Sequence, residues 1–176
     1  WSWEGLSRAF TFLDPGAILT WNLPVAPAYH YFRPLVVASY KLDMALWGLT
    51  PLGFHLESLL LHLGSVVLVG ALAARVTGDG RVGRLAALLF AIQPHNPAAV
   101  CWTAGRTEAL GALLMLGALL SYVIARQERR PRLLGWTLAL TALACLTKEN
   151  AVLVGGFAGA WELTRLTAAW RAARGG

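Results

Sequence analysis

Charge is what this sequence has least of. Of 176 residues, 14% are Asp, Glu, Lys or Arg and 57% are hydrophobic, whereas soluble domains carry about 25% charged residues. Lysine is scarcer still: 13 of the 15 basic residues are arginine, leaving Lys41 and Lys148. Cysteine is limited to Cys101 and Cys145, with no metal-ligand spacing, so both are expected to be small buried hydrophobes. There is no internal repeat, no low-complexity tract and no signal-peptide pattern. The first residue is Trp1, not Met, so the chain is expected to be a piece of a longer polypeptide. The net charge of +6 invites a nucleic-acid reading. The arginines gather at the ends of apolar runs and not along one face, so membrane topology accounts for them and no nucleic-acid partner is expected.

What the chain has in quantity is long apolar runs. A membrane span needs about 20 mainly apolar residues. Residues 54–74, FHLESLLLHLGSVVLVGALAA, and 107–125, TEALGALLMLGALLSYVIA, satisfy that. Shorter runs at 83–97, 133–147 and 150–164 follow the same style. The expected fold is therefore an all-α integral membrane bundle of about five transmembrane helices. Ahead of it, residues 1–53 read as an external loop, and 165–176 as a basic cytoplasmic tail. Within the loop, LVVASYKLDMALWGL (35–49) is an apolar run interrupted by Ser39, Lys41 and Asp43. It reads as an interfacial amphipathic helix anchored by Trp47.

Charge sets the orientation. Cytoplasmic loops carry the excess of Lys and Arg. Arg75, Arg81 and Arg84 follow the first run; Arg126, Arg129, Arg130 and Arg132 follow the third; Arg165, Arg171 and Arg174 follow the fifth. Those loops alternate with the others, which places YHYFRPL (29–35), QPHNPAAVCWTAGRTE (93–108) and TKEN (147–150) together on the non-cytoplasmic face. Pro94 and Pro97 break the helix there, and broken backbone at membrane depth is tolerated only against protein or water. Gln93, His95, Asn96, Trp102, Glu108 and Glu149 are therefore candidates to line a cavity.

Three cations stand out on that face. Arg106 offers a planar fork suited to phosphate or carboxylate, and Lys148, at a helix end, a compact point charge able to bind phosphate. Arg33 precedes a proline that fixes extended backbone. Arg106 and Glu108 are two apart and Lys148 and Glu149 adjacent, so the members of each pair should serve different contacts. His55 and His62 lie seven apart, without the i, i+4 spacing and third ligand of a metal site, and read as structural histidines. No metal is expected. Gly155 and Gly159 form a small-xxx-small face for close helix packing.

The order of these motifs is itself informative. YFRPLVVASYKLDMALWGLTPLGFHLESLLLHL, a proline-broken loop running into W-x-A-G-R-x-E-x-L, and then LTKE together resemble the membrane part of GT-C-fold glycosyltransferases. The similarity is greatest to protein O-mannosyltransferase-like proteins that carry tetratricopeptide repeats after the membrane domain, and covers roughly residues 1–165. The resemblance implies a fragment of a GT-C-like bundle that transfers a mannose-like sugar from a polyprenyl-phosphate donor to a protein or glycan acceptor outside the cytoplasm. It implies that Arg33, Arg106 and Lys148 hold the lipid-linked phosphate, with membrane lipid as surroundings and no cofactor.

The sequence departs from the family pattern in two places. The family's acidic pair, source of the catalytic base, lies upstream of this chain's start, and Glu4 and Asp14 are weak substitutes. Its proline loop reads His-Pro, a second His, then Glu, where this chain has Gln93-Pro94, Asn96 and Ala98, with His95 one place off. A non-catalytic module that binds polyprenyl phosphate or glycolipid, and a structural or transport subunit, are the competing readings. Arg- and Ala-rich usage points to a bacterial inner membrane.

Overall fold

The computed structural model describes residues 33–48, 50–93 and 105–174, and these are helical throughout, with no strand among them. Helix α1 spans Pro34–Trp47, α2 Pro51–Thr77, α3 Gly80–Ala91, α4 Arg106–Gln127, α5 Arg132–Cys145 and α6 Leu153–Arg174, the last entered through a 3-10 turn at Glu149–Val152. Glu4, Asp14, His95, Asn96, Ala98, Cys101 and Trp102 lie outside the described residues.

Local chemistry explains the boundaries. Pro34 and Pro51 open α1 and α2, where a missing N–H costs nothing and the fixed φ suits the first turn. Gly78 closes α2 in the left-handed region at φ 74°, its N–H donating to Ala74 O at 2.9 Å. One residue later the Asp79 carboxylate accepts the Arg81 N–H at 2.7 Å and caps α3. A turn this short forces α2 and α3 into an antiparallel hairpin. The four residues from Glu128 to Pro131 do the same for α4 and α5. The helices thus share two ends: an arginine-rich end at the close of α2 and α4, and the opposite end, where α2 and α4 begin and α5 stops.

The predicted runs fall on these helices, with bounds shifted by a few residues and two larger differences in extent. The run expected at 83–97 begins earlier, at Gly80, and ends at Ala91. The expected tail from residue 165 continues α6 as helix to Arg174. Its alanines and arginines are strong helix formers, so nothing in the sequence stops the helix where the apolar stretch runs out.

Packing is inverted relative to a soluble protein. Buried hydrophobic positions are mostly small, Ala109, Ala118, Ala125, Ala144 and Ala151 among them, while Leu52, Leu60, Leu63, Leu85, Leu88, Trp136, Phe157 and Leu166 face outward. In water that surface would aggregate; in lipid it is solvated, and small residues at the seams let backbones approach. Helix α2, 27 residues, and α4, 22 residues, are both long and apolar enough to cross a membrane, and α2 buries almost none of its apolar window. Soluble-core helices are instead mostly buried. The chain is a membrane protein.

The seams are specific. Gly83 of α3 sits so close to α2 that a Cβ there would meet Gly70 O at 2.6 Å and Ala74 Cβ at 2.7 Å. Ser58 and Ser65, seven apart and buried on α2, turn their hydroxyls back onto Phe54 O and Leu61 O at 3.0 Å. Bonded in this way, neither hydroxyl needs a partner on another helix, and nearby Gly64 admits Leu113 of α4. His62 stacks on Phe90 of α3 with centroids 5.7 Å apart, a structural contact. Cys145, expected to be buried, is exposed at the end of α5. Leu143 and Leu146, near it in sequence, are exposed as well, so the thiol stands on an outward apolar stretch and not in the core.

At the arginine-rich end two carboxylates tie the helices. Glu128 accepts from Arg75 at 2.7 Å and meets Arg130 at 3.2 Å, while Gln127 donates to Arg75 O at 2.7 Å. The hydrogen bond from Arg75 holds the Glu128 carboxyl below its ordinary pKa. This contribution is therefore present above the ordinary Glu range and fades as pH falls through the lowered value. Glu162 of α6 accepts from Arg126 at 2.7 and 3.0 Å and from the Tyr122 hydroxyl at 3.0 Å.

Gly83→Leu should force α3 off α2 and lower the thermal midpoint in detergent, with an overpacking cost of about 1–3 kcal/mol. Gly155 and Gly159, expected to form a close-packing face, meet nothing within 4 Å of where a Cβ would stand, so Gly155→Leu should leave the midpoint unchanged. Differential scanning fluorimetry of the two variants checks both.

Candidate functional site

The polar end of the bundle is organised around Arg106, the first residue of α4. A cation is out of place there, because the aligned peptide dipoles put positive potential at a helix N-terminus. Two carboxylates offset it. Asp43 of α1 pairs with Arg106 Nη1 in close contact, and Glu57 of α2 approaches the same nitrogen at 3.3 Å. Arg106 Nη2 donates to Phe54 O at 3.2 Å. The guanidinium also lies over the Tyr40 ring, 4.6 Å from its centroid, and 5.7 Å from that of Phe54. One side chain thereby joins α1, α2 and α4.

The cluster is enclosed: the Arg106 side chain is 0% exposed and Asp43 1%. Burying a lone charge costs several kcal/mol, so Asp43 could not sit there without Arg106, and Arg106 needs its carboxylates. The sequence reading puts Arg106 beside Arg33 and Lys148 as a phosphate ligand; the structure encloses its guanidinium among carboxylates and aromatic rings. Asp43, read as part of a polar interfacial face, turns inward instead. Sequence reasoning missed its role. The available signal was a single acid in an otherwise apolar run, with an arginine at the start of an apolar span to receive it.

Outward from this cluster lies a second layer. Lys148 Nζ donates to Glu108 Oε1 in close contact, joining the end of α5 to the first turn of α4. Glu108 also gains from the helix dipole in that first turn. Arg33 Nη2 lies 4.0 Å from Glu149 Oε2. Arg106 and Glu108 thus make different contacts, as do Lys148 and Glu149, in keeping with their spacing. Leu35 N donates to Leu146 O at 3.4 Å, so the start of α1 is laid directly on the end of α5. Thr147, fully buried, bonds Ala144 O at 2.6 Å and presses against Gly111 of α4, where a Cβ would come within 3.2 Å of its hydroxyl. That contact fixes the backbone from which Lys148 projects.

The structure therefore brings Arg33, Arg106, Lys148, Glu108 and Glu149 to one end and pairs each of the three cations with a carboxylate. Gln93, exposed just beyond α3, belongs to the same end of the bundle by chain order. Among the described residues no group of His, Cys, Asp and Glu is placed to hold a metal ion. The arrangement can receive an anion at its rim while an inner ion pair holds the helices in register.

Removing either partner of the inner pair, by Asp43→Leu or Arg106→Met, should destabilise the bundle by about 3–5 kcal/mol, because the other charge is left buried. The double variant Asp43→Leu/Arg106→Met should recover most of the loss, since Glu57 reaches solvent. Thermal unfolding in detergent across the cycle measures this.

The profile described as dolichyl-phosphate-mannose-protein mannosyltransferase matches residues 33–166, the stretch that runs from Arg33 through α6. Protein O-mannosyl-transferase Tmtc1 of Drosophila melanogaster is 36% identical over 135 residues, covering 75% of this chain and 16% of that protein. Protein O-mannosyl-transferase TMTC3 of Mus musculus is 29% identical over 186 residues, covering 92% of this chain and 20% of that protein. Protein O-mannosyl-transferase TMTC2 of Mus musculus is 34% identical over 128 residues, covering 70% and 15%. The chain thus spans about a fifth or less of the length of these relatives. No solved structure matches it. With three quarters of its residues inside the matched region, the chain belongs to the dolichyl-phosphate-mannose-protein mannosyltransferase family.

Proposed function

We propose that this chain is part of a membrane glycosyltransferase that moves a mannose-like sugar from a polyprenyl-phosphate donor to a protein acceptor, outside the cytoplasm. The observation that carries the reading is the convergence of Arg33, Lys148 and the enclosed Arg106 at one end of the bundle, away from the arginine-rich end. Membership of a mannosyltransferase family supplies the reaction class. The positive-inside rule supports the sidedness. Placement in a bacterial inner membrane rests on composition alone, while the relatives named above are animal proteins. Five spans, with α1 in the interface plane, form the framework of the proposal.

In this scheme the acceptor hydroxyl oxygen attacks the anomeric carbon and loses its proton to a carboxylate base. The bond from that carbon to the phosphate oxygen breaks, and the lipid phosphate leaves with the negative charge. Lys148 and Arg33 meet the phosphate at the rim, where fixed cations stabilise charge as it develops. Arg106 contributes from beneath, holding α1 against α4 so that both rim cations address one point. Gln93, Glu108 and Glu149 line the approach. Glu4 and Asp14 remain the chain's own candidates for the base, and the family's acidic pair is the stronger source.

A second reading, a receptor for lipid phosphate without transfer, is favoured by Gln93, Asn96 and Ala98 standing where the family pattern carries His, His and Glu. One experiment separates the two. The full-length protein in native membranes is given radiolabelled polyprenyl-phosphate mannose and a Ser/Thr-containing acceptor protein. Transfer to the acceptor is expected, and Lys148→Ala should lower its rate roughly 100-fold or more, as loss of one charge-stabilising donor does. Donor binding without transfer would decide for the receptor.

A further inference from the structure

The two layers of ion pairs differ in how readily they can open. Asp43 and Arg106 are closed off from solvent, and an exchange of partners there would leave a charge buried alone. In the outer pair the Lys148 side chain is 22% exposed and Glu108 59%. Glu108 is also favourable where it stands without Lys148, because it occupies the first turn of α4 at the positive end of the helix dipole. Swinging Glu108 away therefore strands neither charge, provided another anion takes its place on Lys148. The backbone beneath need not move, since Thr147 remains packed on Gly111.

We infer that Glu108 is a displaceable counter-ion: it occupies Lys148 when the rim is empty and yields that position to the phosphate of an incoming lipid. This deepens the function proposed above and rests on Lys148 being a phosphate site. Glu108 then acts as a selectivity element. A phosphate-bearing lipid must outcompete a tethered carboxylate to reach Lys148, which keeps weakly held anionic lipids out of the rim. The shared chemistry is a lipid phosphate, and a polyprenyl phosphate and an ordinary anionic phospholipid are its two possible sources.

The test measures binding to the full-length protein in phosphatidylcholine nanodiscs doped with either a polyprenyl monophosphate or phosphatidylglycerol. Glu108→Gln removes the competing charge and keeps the shape, and should tighten polyprenyl-phosphate binding about fivefold, the scale of a partly exposed ion pair. Lys148→Ala should abolish this binding, and adding Glu108→Gln to Lys148→Ala should restore nothing. A purely structural Glu108 would give weaker or unchanged binding in Glu108→Gln, and that result overturns the counter-ion role while leaving the Lys148 site intact. If Lys148→Ala binds as the native protein does, the phosphate site itself fails and the inference falls with it. In the native protein, phosphatidylglycerol should bind at least tenfold more weakly. Equal binding of the two lipids would identify a general headgroup site and overturn the selectivity role.

Discussion

An arginine at the first turn of a membrane helix has to be answered by acids, and much of this site follows from that requirement. Arg106 draws Asp43 from α1 and Glu57 from α2, and so determines how those helices meet at the polar end. Without that bond α1, which otherwise touches the bundle lightly, would have little reason to lie across α2 and α4. With it, Arg33 at the head of α1 reaches Glu149 and comes near the end of α5. An electrostatic necessity inside the bundle thereby sets the geometry of the rim.

The two ends of the bundle use ion pairs for different purposes. At the arginine-rich end Glu128 and Glu162 each gather several donors from neighbouring helices, clipping helix ends that fray most easily. At the other end the pairs are layered, one enclosed and two nearer solvent, so the same interaction type serves as anchor inside and, in the role inferred for Glu108, as an exchangeable contact outside. Between the ends, cohesion comes from small side chains that let backbones touch. Charged groups are thus concentrated at the two ends of the helices.

Much of this was legible in the sequence. The apolar runs located α2 to α6, and arginine counts separated one end from the other. The spacing of Arg106 and Glu108, and of Lys148 and Glu149, anticipated that each would find a different partner. The less legible features depend on tertiary contact. Asp43 in an apolar helix reads equally as a wet interfacial residue or a buried counter-charge, and only the position of Arg106 decides between them. Cys145 reads as buried because membrane proteins place apolar groups outward as readily as inward. The helical continuation to Arg174 lacked any stop signal, so hydrophobicity was a poor guide to where the helix ended.

The length of α5 has a consequence for how a lipid reaches this rim. At 14 residues it rises only about 21 Å, well short of the roughly 30 Å of a bilayer's hydrocarbon core. The 27 residues of α2 rise about 40 Å. If α5 crosses the membrane as proposed, either the lipid beside it thins or its end sits below the headgroup plane. In the second arrangement the donor proposed above would meet Lys148 from the side and at depth. A headgroup on a long, flexible chain could descend to it more easily than one held at the surface by its neighbours, and the shortness of a single helix would then sort lipids by the freedom of their tails.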